Sequence, residues 1–259
     1  MDPEPVCLSL CQPFAWGRME HTTVSDLRVK IFADGADKAG MLDFYKNPLI
    51  KGFTTNPTLM RKAGVSDYQA FAREIIALIP DRHLSFEVFS DEFDEMYEQV
   101  RKIGSWGPNV YVKVPVSNTR GESSVPLLRR LAPTGVKLNV TAMFTTRQVR
   151  EVSQALAESA PCCLSIFAGR VADAGVDPLP IMREALEIMS IHPHQELIWA
   201  SPRELFNIVQ ADRIGCQIIT VTNDVLAKLS GLGKDLEQFS LDTVRMFRAD
   251  AVAAGFTLR

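Results

Sequence analysis

With 259 residues, 46% of them hydrophobic and 23% charged, the chain has an ordinary folded composition and room for one barrel or two smaller domains, which excludes disordered and fibrous classes. A formal net charge of -3 supplies no overall basic field, so neither nucleic acid nor a membrane surface is an expected partner, although clustered arginines still suit a small anion. Five cysteines, Cys7, Cys11, Cys162, Cys163 and Cys216, lack zinc-site spacing and read as reduced thiols; with no apolar run of membrane-spanning length and no signal-peptide pattern in residues 1–25, a cytoplasmic location is expected.

The first 18 residues carry Pro3, Pro5 and Pro13 without periodicity and read as a loose tail, with Met19 an alternative start; the tail is drawn to residue 25 and the folded domain from 26 to 259. From Val29 onward, short β-rich runs alternate with helical patterns. The runs fall at 29–34, 51–56, 84–89, 110–115, 136–143, 163–169, 197–201 and 217–222, eight candidate strands. Between the second and third, Tyr68, Phe71, Ala72, Ile75, Ile76 and Ile79 recur at helical spacing, predicting a helix with one buried face. Thr145 to Gln148 has the form of a capping box, as does Ser201 to Glu204, where Pro202 suits the first helical position. Strand and helix in regular alternation imply parallel pairing through right-handed crossovers. Eight such units predict an α/β fold, a single-domain (β/α)8 TIM barrel with an additional C-terminal helical segment over about 236–256. An open doubly wound sheet is the alternative, but Asp34-Gly35-Ala36-Asp37 stands where a glycine-rich dinucleotide loop would follow the first strand.

In such a barrel, chemistry sits at the C-terminal ends of the strands. Asp34 ends the first strand, Asn56 the second, Glu87 lies near the end of the third and Lys113 late in the fourth. Asn139 and Thr141 share a face of the fifth, Ser165 and Phe167 of the sixth, and Ser201 ends the seventh. Lys113 stands out because it interrupts a near-continuous apolar strand, Val110 to Val116, sharing a face with Tyr111 and Pro115. A buried lysine is a candidate amine nucleophile, since desolvation favours the neutral form that attacks a carbonyl. Asp34 and Glu87 are candidates for moving the accompanying protons, and Asp34 has a second reading as the cap of the helix that follows it. Lys30 and Lys137 fall at strand beginnings, the stability face, and are weaker candidates.

Arg170, just past the sixth strand, and Arg203, in the first turn of the helix expected after Ser201, predict a phosphate site, because a helix N-terminus and arginine both suit that anion. His192 and His194 lack a nearby carboxylate or cysteine and read as loop residues, so no metal is expected. Cys162, Cys163, Met182 and Met189 read as core.

Taken together, IFADGAD around Asp34, GFTTNPTLM around Asn56, VKVP at Lys113, NVTAMFT around Asn139 and Thr141, SIFAGRVAD around Ser165 and Arg170, and ASPRE around Arg203 resemble the transaldolase family, in that family's order from about Val29 to Leu229. The resemblance implies a Schiff base between Lys113 and a ketose phosphate, proton transfer by Asp34, and a water positioned by Glu87 and Thr141. It further implies that Asn56, Asn139 and Ser165 hydrogen-bond the three-carbon unit, that Phe167 lines it, and that Arg170, Ser201 and Arg203 hold the phosphate. Sugar phosphates are then the partners, and neither a metal nor an organic cofactor is needed; homo-oligomerisation is left open. In the family's fructose 6-phosphate aldolase branch the positions of Glu87 and Phe167 look like Gln and Tyr, so the resemblance favours transfer. Pro202, where ASFR-type versions carry an aromatic residue, is a departure. A C-C lyase and a non-catalytic sugar-phosphate-binding barrel are the competing readings.

Overall fold

The computed structural model describes residues 22–258. The tail to residue 18, Met19, Cys7 and Cys11 lie outside the described residues. Eight strands, β1 (Lys30–Asp34), β2 (Ile50–Thr54), β3 (His83–Glu87), β4 (Val110–Pro115), β5 (Leu138–Met143), β6 (Cys162–Ile166), β7 (Gln195–Trp199) and β8 (Ile218–Thr222), pair in chain order into a closed barrel. Every pairing is parallel, and β1 closes the ring on β8. Helices follow the strands: α1 (Lys38–Tyr45), α2 (Pro57–Lys62), α3 (Tyr68–Leu78), α4 (Phe93–Gly104), α5 (Val125–Leu131), α6 (Thr146–Ala155), α7 (Ala168–Asp173), α8 (Pro178–Met189), α9 (Phe206–Arg213) and α10 (Asn223–Leu226). This is the predicted (β/α)8 architecture.

The outward faces of the strands carry the core shared with the helices. Val112 and Val114 of β4 are buried, as are Met96, Val100 and Ile103 on the facing side of α4. The spacing read for α3 is partly realised: Ala72, Ile75 and Ile79 are buried, while Tyr68, Phe71 and Ile76 sit at its margin. Met182 and Met189 are buried, and so are Cys162, Cys163 and Cys216, whose thiols burial pushes upward in pKa, to about 11 for Cys162 and about 12 for Cys216. Inside the barrel, Phe32 fills the space beside Gly52, where a methyl group would come within 2.7 Å of its ring. At the N-terminal ends of the strands, Lys30 pairs with Glu196, and Lys137 donates to the Pro108 carbonyl and lies over Tyr111, so both lysines belong to the closed end of the barrel.

Two expectations about helix starts separate here. The capping box at Thr145 is present in both directions at the head of α6. The one at Ser201 is not: α9 begins at Phe206, and Ser201 has a left-handed backbone with φ 60°. The amide groups of Arg203 and Glu204 are both satisfied by the Asn207 carbonyl oxygen, at 2.8 and 3.1 Å, so a side chain three to four residues downstream does what Ser201 was expected to do.

The barrel forms one compact unit from Ser25 to Ser230, and the chain from Gly231 onward belongs to another. The final helix, α11 (Leu236–Ala253), lies in that second unit. It is capped by Asp235, which accepts from Gln238 N, and braced by an ion pair between Lys234 and Asp242 at 2.7 Å. Among the described residues no helix is long and apolar enough to cross a membrane.

Candidate active site

Parallel register places Lys113 opposite Glu87 on one side and Asn139 on the other, so β3, β4 and β5 contribute one rung of the barrel mouth. Lys113 is only 6% exposed. Its Nζ lies 3.1 Å from Glu87 Oε2 and donates to the Thr55 carbonyl at 2.8 Å. A side-chain nitrogen so enclosed requires such partners, because a charge left unpaired at this depth would cost several kcal/mol, on the order of 3–5. Glu87 is itself anchored through its backbone: its N-H donates to the Tyr68 hydroxyl at 2.7 Å, and that hydroxyl donates to the Glu87 carbonyl at 3.0 Å.

Asp34, at the end of β1, pairs in register with Thr54 and Thr222. It accepts from the Thr54 hydroxyl at 2.8 Å, and Thr54 in turn contacts the Thr220 hydroxyl across the barrel. Burial holds the Asp34 carboxyl above the usual carboxylate range, against the lowering pull of Lys113 and the Thr54 hydrogen bond, with Glu87 adding a smaller upward push. The capping reading of Asp34 fails, since α1 is capped by Asp37, whose carboxylate accepts from Gly40 N at 2.8 Å.

Asn139 and Ser165 meet directly: the Ser165 hydroxyl donates to Asn139 Oδ1 at 2.7 Å, and Asn139 Nδ2 donates to the Ser85 hydroxyl at 3.1 Å. Thr141 is 2% exposed, and its Oγ1 has no hydrogen-bond partner among the described residues. Beside it, β5 is bulged. Val140 pairs with Leu164 but Met143 with Ile166, so Thr141 and Ala142 together oppose Ser165. Ala142 takes a left-handed φ of 62°, and the extra residue turns Met143 into the core while Thr141 and Ala142 both line the mouth.

Asn56 lies beyond β2 rather than within it, capping α2 by accepting from Leu59 N at 2.9 Å. Phe167 lies one residue beyond β6, with Arg170 stacked over its ring at 5.2 Å. Arg203 is held by Asp173, with Nε 2.9 Å from Oδ1, and its Nη1 donates to the Ser201 hydroxyl at 3.0 Å. The helix start expected at Ser201 is thus corrected: on this turn Ser201 stands five and Arg203 three residues before α9, and Arg203 is carried by an ion pair. That turn packs tightly on α7, because a methyl on Gly169 would fall 1.6 Å from the Ser201 carbonyl oxygen.

One cavity of about 410 Å³ gathers all these groups: Asp34, Asn56, Glu87, Lys113, Asn139, Thr141, Ser165, Phe167, Arg170, Ser201 and Arg203 line it. Thr54, Ala142 and Thr220 line it too and were missed in the sequence. The threonines could have been found by period-two counting, Thr54 lying two residues past the Gly52 that makes room for Phe32, and Thr220 two past Ile218 on the same inward face. Among the described residues no group of three metal-ligating side chains is gathered; His194 Nε2 lies 3.0 Å from the Leu156 carbonyl at the opposite end of the strands.

The fold and site define a (β/α)8 barrel with a buried amine between carboxylates at its C-terminal mouth and arginines on the rim. The chain belongs to the transaldolase/fructose-6-phosphate aldolase family, whose model matches residues 31–258. It is 33% identical over 202 residues to a probable transaldolase of Dehalococcoides mccartyi, covering 78% of this chain and 90% of the relative. It is 31% identical over 225 residues to probable transaldolase 2 of Listeria monocytogenes, covering 82% and 98%, and 38% identical over 179 residues to a probable transaldolase of Roseiflexus castenholzii, covering 69% and 78%.

Proposed function

We propose that this protein is a transaldolase, moving a three-carbon dihydroxyacetone unit from a ketose phosphate to an aldose phosphate through an imine on Lys113. The observation that carries the reading is the enclosure of the Lys113 amine within 3.1 Å of Glu87 in the cavity that also holds Asp34. The amine attacks the ketose carbonyl carbon, and water leaves to give a protonated imine. Asp34 then accepts the proton of the hydroxyl on the fourth carbon as the bond between carbons three and four breaks. The electron pair of that bond flows into the imine, giving an enamine and a free aldose phosphate. A second aldehyde is attacked by the enamine carbon, Asp34 returns the proton, and water hydrolyses the new imine. A carboxyl raised above its usual range suits this exchange, since it is a stronger base than an ordinary aspartate.

Glu87 and Thr141 are assigned to the water that enters and leaves, supported by the Glu87 contact to the amine and by the unpartnered Thr141 hydroxyl. Asn139 and Ser165 hold the hydroxyls of the bound unit, Asn56 and Phe167 line it, and Arg170, Ser201 and Arg203 take the phosphate. The protonated imine serves as electron sink, so the scheme draws on no metal or organic cofactor. Reduced thiols at Cys162, Cys163 and Cys216 are in keeping with a cytoplasmic site of action.

A C-C lyase of the fructose 6-phosphate aldolase type is the alternative within the same family. Glu87 and Phe167 favour transfer, as do the names of the relatives. The deciding experiment follows dihydroxyacetone and aldose phosphate with and without an acceptor aldehyde. Exchange that requires the acceptor supports the transaldolase; equal release of free dihydroxyacetone without one overturns it in favour of the lyase.

A further inference from the structure

Below the lysine, the barrel interior holds a hydrogen-bonded line that the mechanism above uses only at its upper end. The Ser165 hydroxyl donates to Asn139 Oδ1 at 2.7 Å, Asn139 Nδ2 donates to Ser85 Oγ at 3.1 Å, and Ser85 Oγ lies 2.7 Å from His83 Nε2. His83 and Ser85 share the inward face of β3, two residues apart, beneath Glu87. The His83 ring is stacked on Tyr111, with centroids 3.7 Å apart and planes within 10°, and it meets Phe32 at 4.7 Å. Its position is therefore set on both flanks.

The direction of the line is set by which nitrogen of the His83 ring carries the proton. A serine hydroxyl has one hydrogen to give. Ser85 Oγ already accepts from Asn139, so its own hydrogen is free to go to His83, provided Nε2 carries none. Burial, with the positive charges of Lys137 and Lys30 below, holds the imidazole neutral, its pKa pushed down to about 3. A neutral ring with its proton on Nδ1 completes a run in which every hydrogen points from Ser165 toward His83. Such a run fixes the Asn139 amide with its oxygen toward Ser165, one N-H toward Ser85 and the second N-H left for the cavity that Asn139 lines.

We propose that His83 is a positioning residue: acting through Ser85, it fixes the rotation of the Asn139 amide so that one N-H is presented to the three-carbon unit bound at Lys113. The role rests on the transaldolase reading for its consequence, and on the His83-Ser85-Asn139 contacts for its geometry. His83 touches no substrate. A residue that could not accept from Ser85 would free that hydroxyl to turn, and with it the amide.

Two measurements test the proposal separately from the reaction assigned to the site. The first is nitrogen-15 NMR of the histidine-labelled protein near neutral pH, with the His83 signal assigned by its loss in His83→Gln. The expected signal is a neutral ring protonated at Nδ1 with Nε2 accepting, shifted in Ser85→Ala; an imidazolium or an Nε2-protonated ring overturns the proposal whether or not the protein transfers dihydroxyacetone. The second is a double-mutant cycle on transfer activity. His83→Phe, which keeps the stacking, is expected to lower kcat about tenfold with KM for the donor within twofold, and His83→Gln, which keeps an acceptor, to recover most of the loss. In an Asn139→Ala background, His83→Phe is expected to change kcat by less than twofold. Independent, multiplying losses, or a fully active His83→Phe, would overturn the role. If His83→Phe does not fold, Ser85→Ala takes its place in the cycle with the same expectations.

Discussion

Replacing Gly169 by alanine sets two physical effects against each other with opposite signs. Gly169 lies in α7, where glycine to alanine ordinarily strengthens a helix by about 1 kcal/mol. The structure predicts the reverse, because the new methyl would sit 1.6 Å from the Ser201 carbonyl oxygen and 2.7 Å from its carbon. Restoring ordinary contact at 3.4 Å requires the turn or the helix to move by about 1.8 Å. Neither yields easily: Ala168 and Val171 pack α7 into the core, and Ser201 is already held at φ 60°. An overlap this deep belongs at the upper end of the about 1–3 kcal/mol that overpacking costs, and less the helix gain of about 1 kcal/mol the net effect is a loss of about 2 kcal/mol. For a domain of this size that lowers Tm by roughly 4–8 °C. The same displacement shifts Ser201 and Arg203 at the cavity rim, and misplacement of about 1 Å is enough to reduce kcat/KM on the order of a hundredfold. Thermal unfolding and steady-state kinetics on a ketose phosphate read both effects. A variant as stable and as active as the parent would refute the argued contact between α7 and the Ser201 turn.

Arg203→Ala is expected to raise KM for phosphorylated donors about a hundredfold while leaving unphosphorylated fructose nearly unaffected, the loss of charge-assisted hydrogen bonds to phosphate. Its stability should hardly change, since Arg203 and Asp173 are both substantially exposed; an equal loss on both donors contradicts the phosphate role. Acid unfolding provides a third expectation. His83 has its folded pKa lowered to about 3 from 6.5, so its contribution is fully present above pH 6.5 and is lost as pH falls toward 3, reaching about 2 kcal/mol by pH 5. Asp34, raised by burial, acts in the opposite direction in both proteins and cancels when the parent is compared with His83→Phe by denaturant titration. Identical pH dependence of the two would show that His83 is not buried neutral. At the β5 bulge, Ala142→Val places a β-branched side chain at φ 62° and should destabilise by about 1–2 kcal/mol, whereas Ala142→Gly should not; equal stability of the two variants would contradict the left-handed conformation.

The barrel was legible in the chain because short apolar runs, β-branched most clearly in β4 and β8, alternate with helical patterns, and the polar residues at strand ends are local exceptions to those runs. Lys113 is the clearest case: among Val110, Val112, Val114 and Val116 only a residue with a task facing inward belongs, and the period of two assigned it to the correct face. Register then did what spacing could not, bringing Glu87 and Asn139 to either side of it. The misreading at Ser201 has a definite cause. Ser-Pro-Arg-Glu satisfies every local rule for a helix start, but the amide groups concerned are taken by Asn207, a choice made by the packing of the turn on Gly169. The bulge after Val140 was invisible because Ala142 carries no glycine or asparagine signal for its left-handed backbone. His83 escaped notice because the contacts that define it cross strands: its ring stacks on Tyr111 of β4, and Ser85 carries the line on to Asn139 of β5.

The central claim is the imine on Lys113, and reduction with borohydride in the presence of fructose 6-phosphate, followed by peptide mass mapping, tests it most directly. The account predicts a stable three-carbon adduct confined to the peptide containing Lys113, absent from a folded Lys113→Met variant. Full activity with that donor and no adduct on Lys113, or an adduct on Lys30 or Lys137 instead, would contradict it.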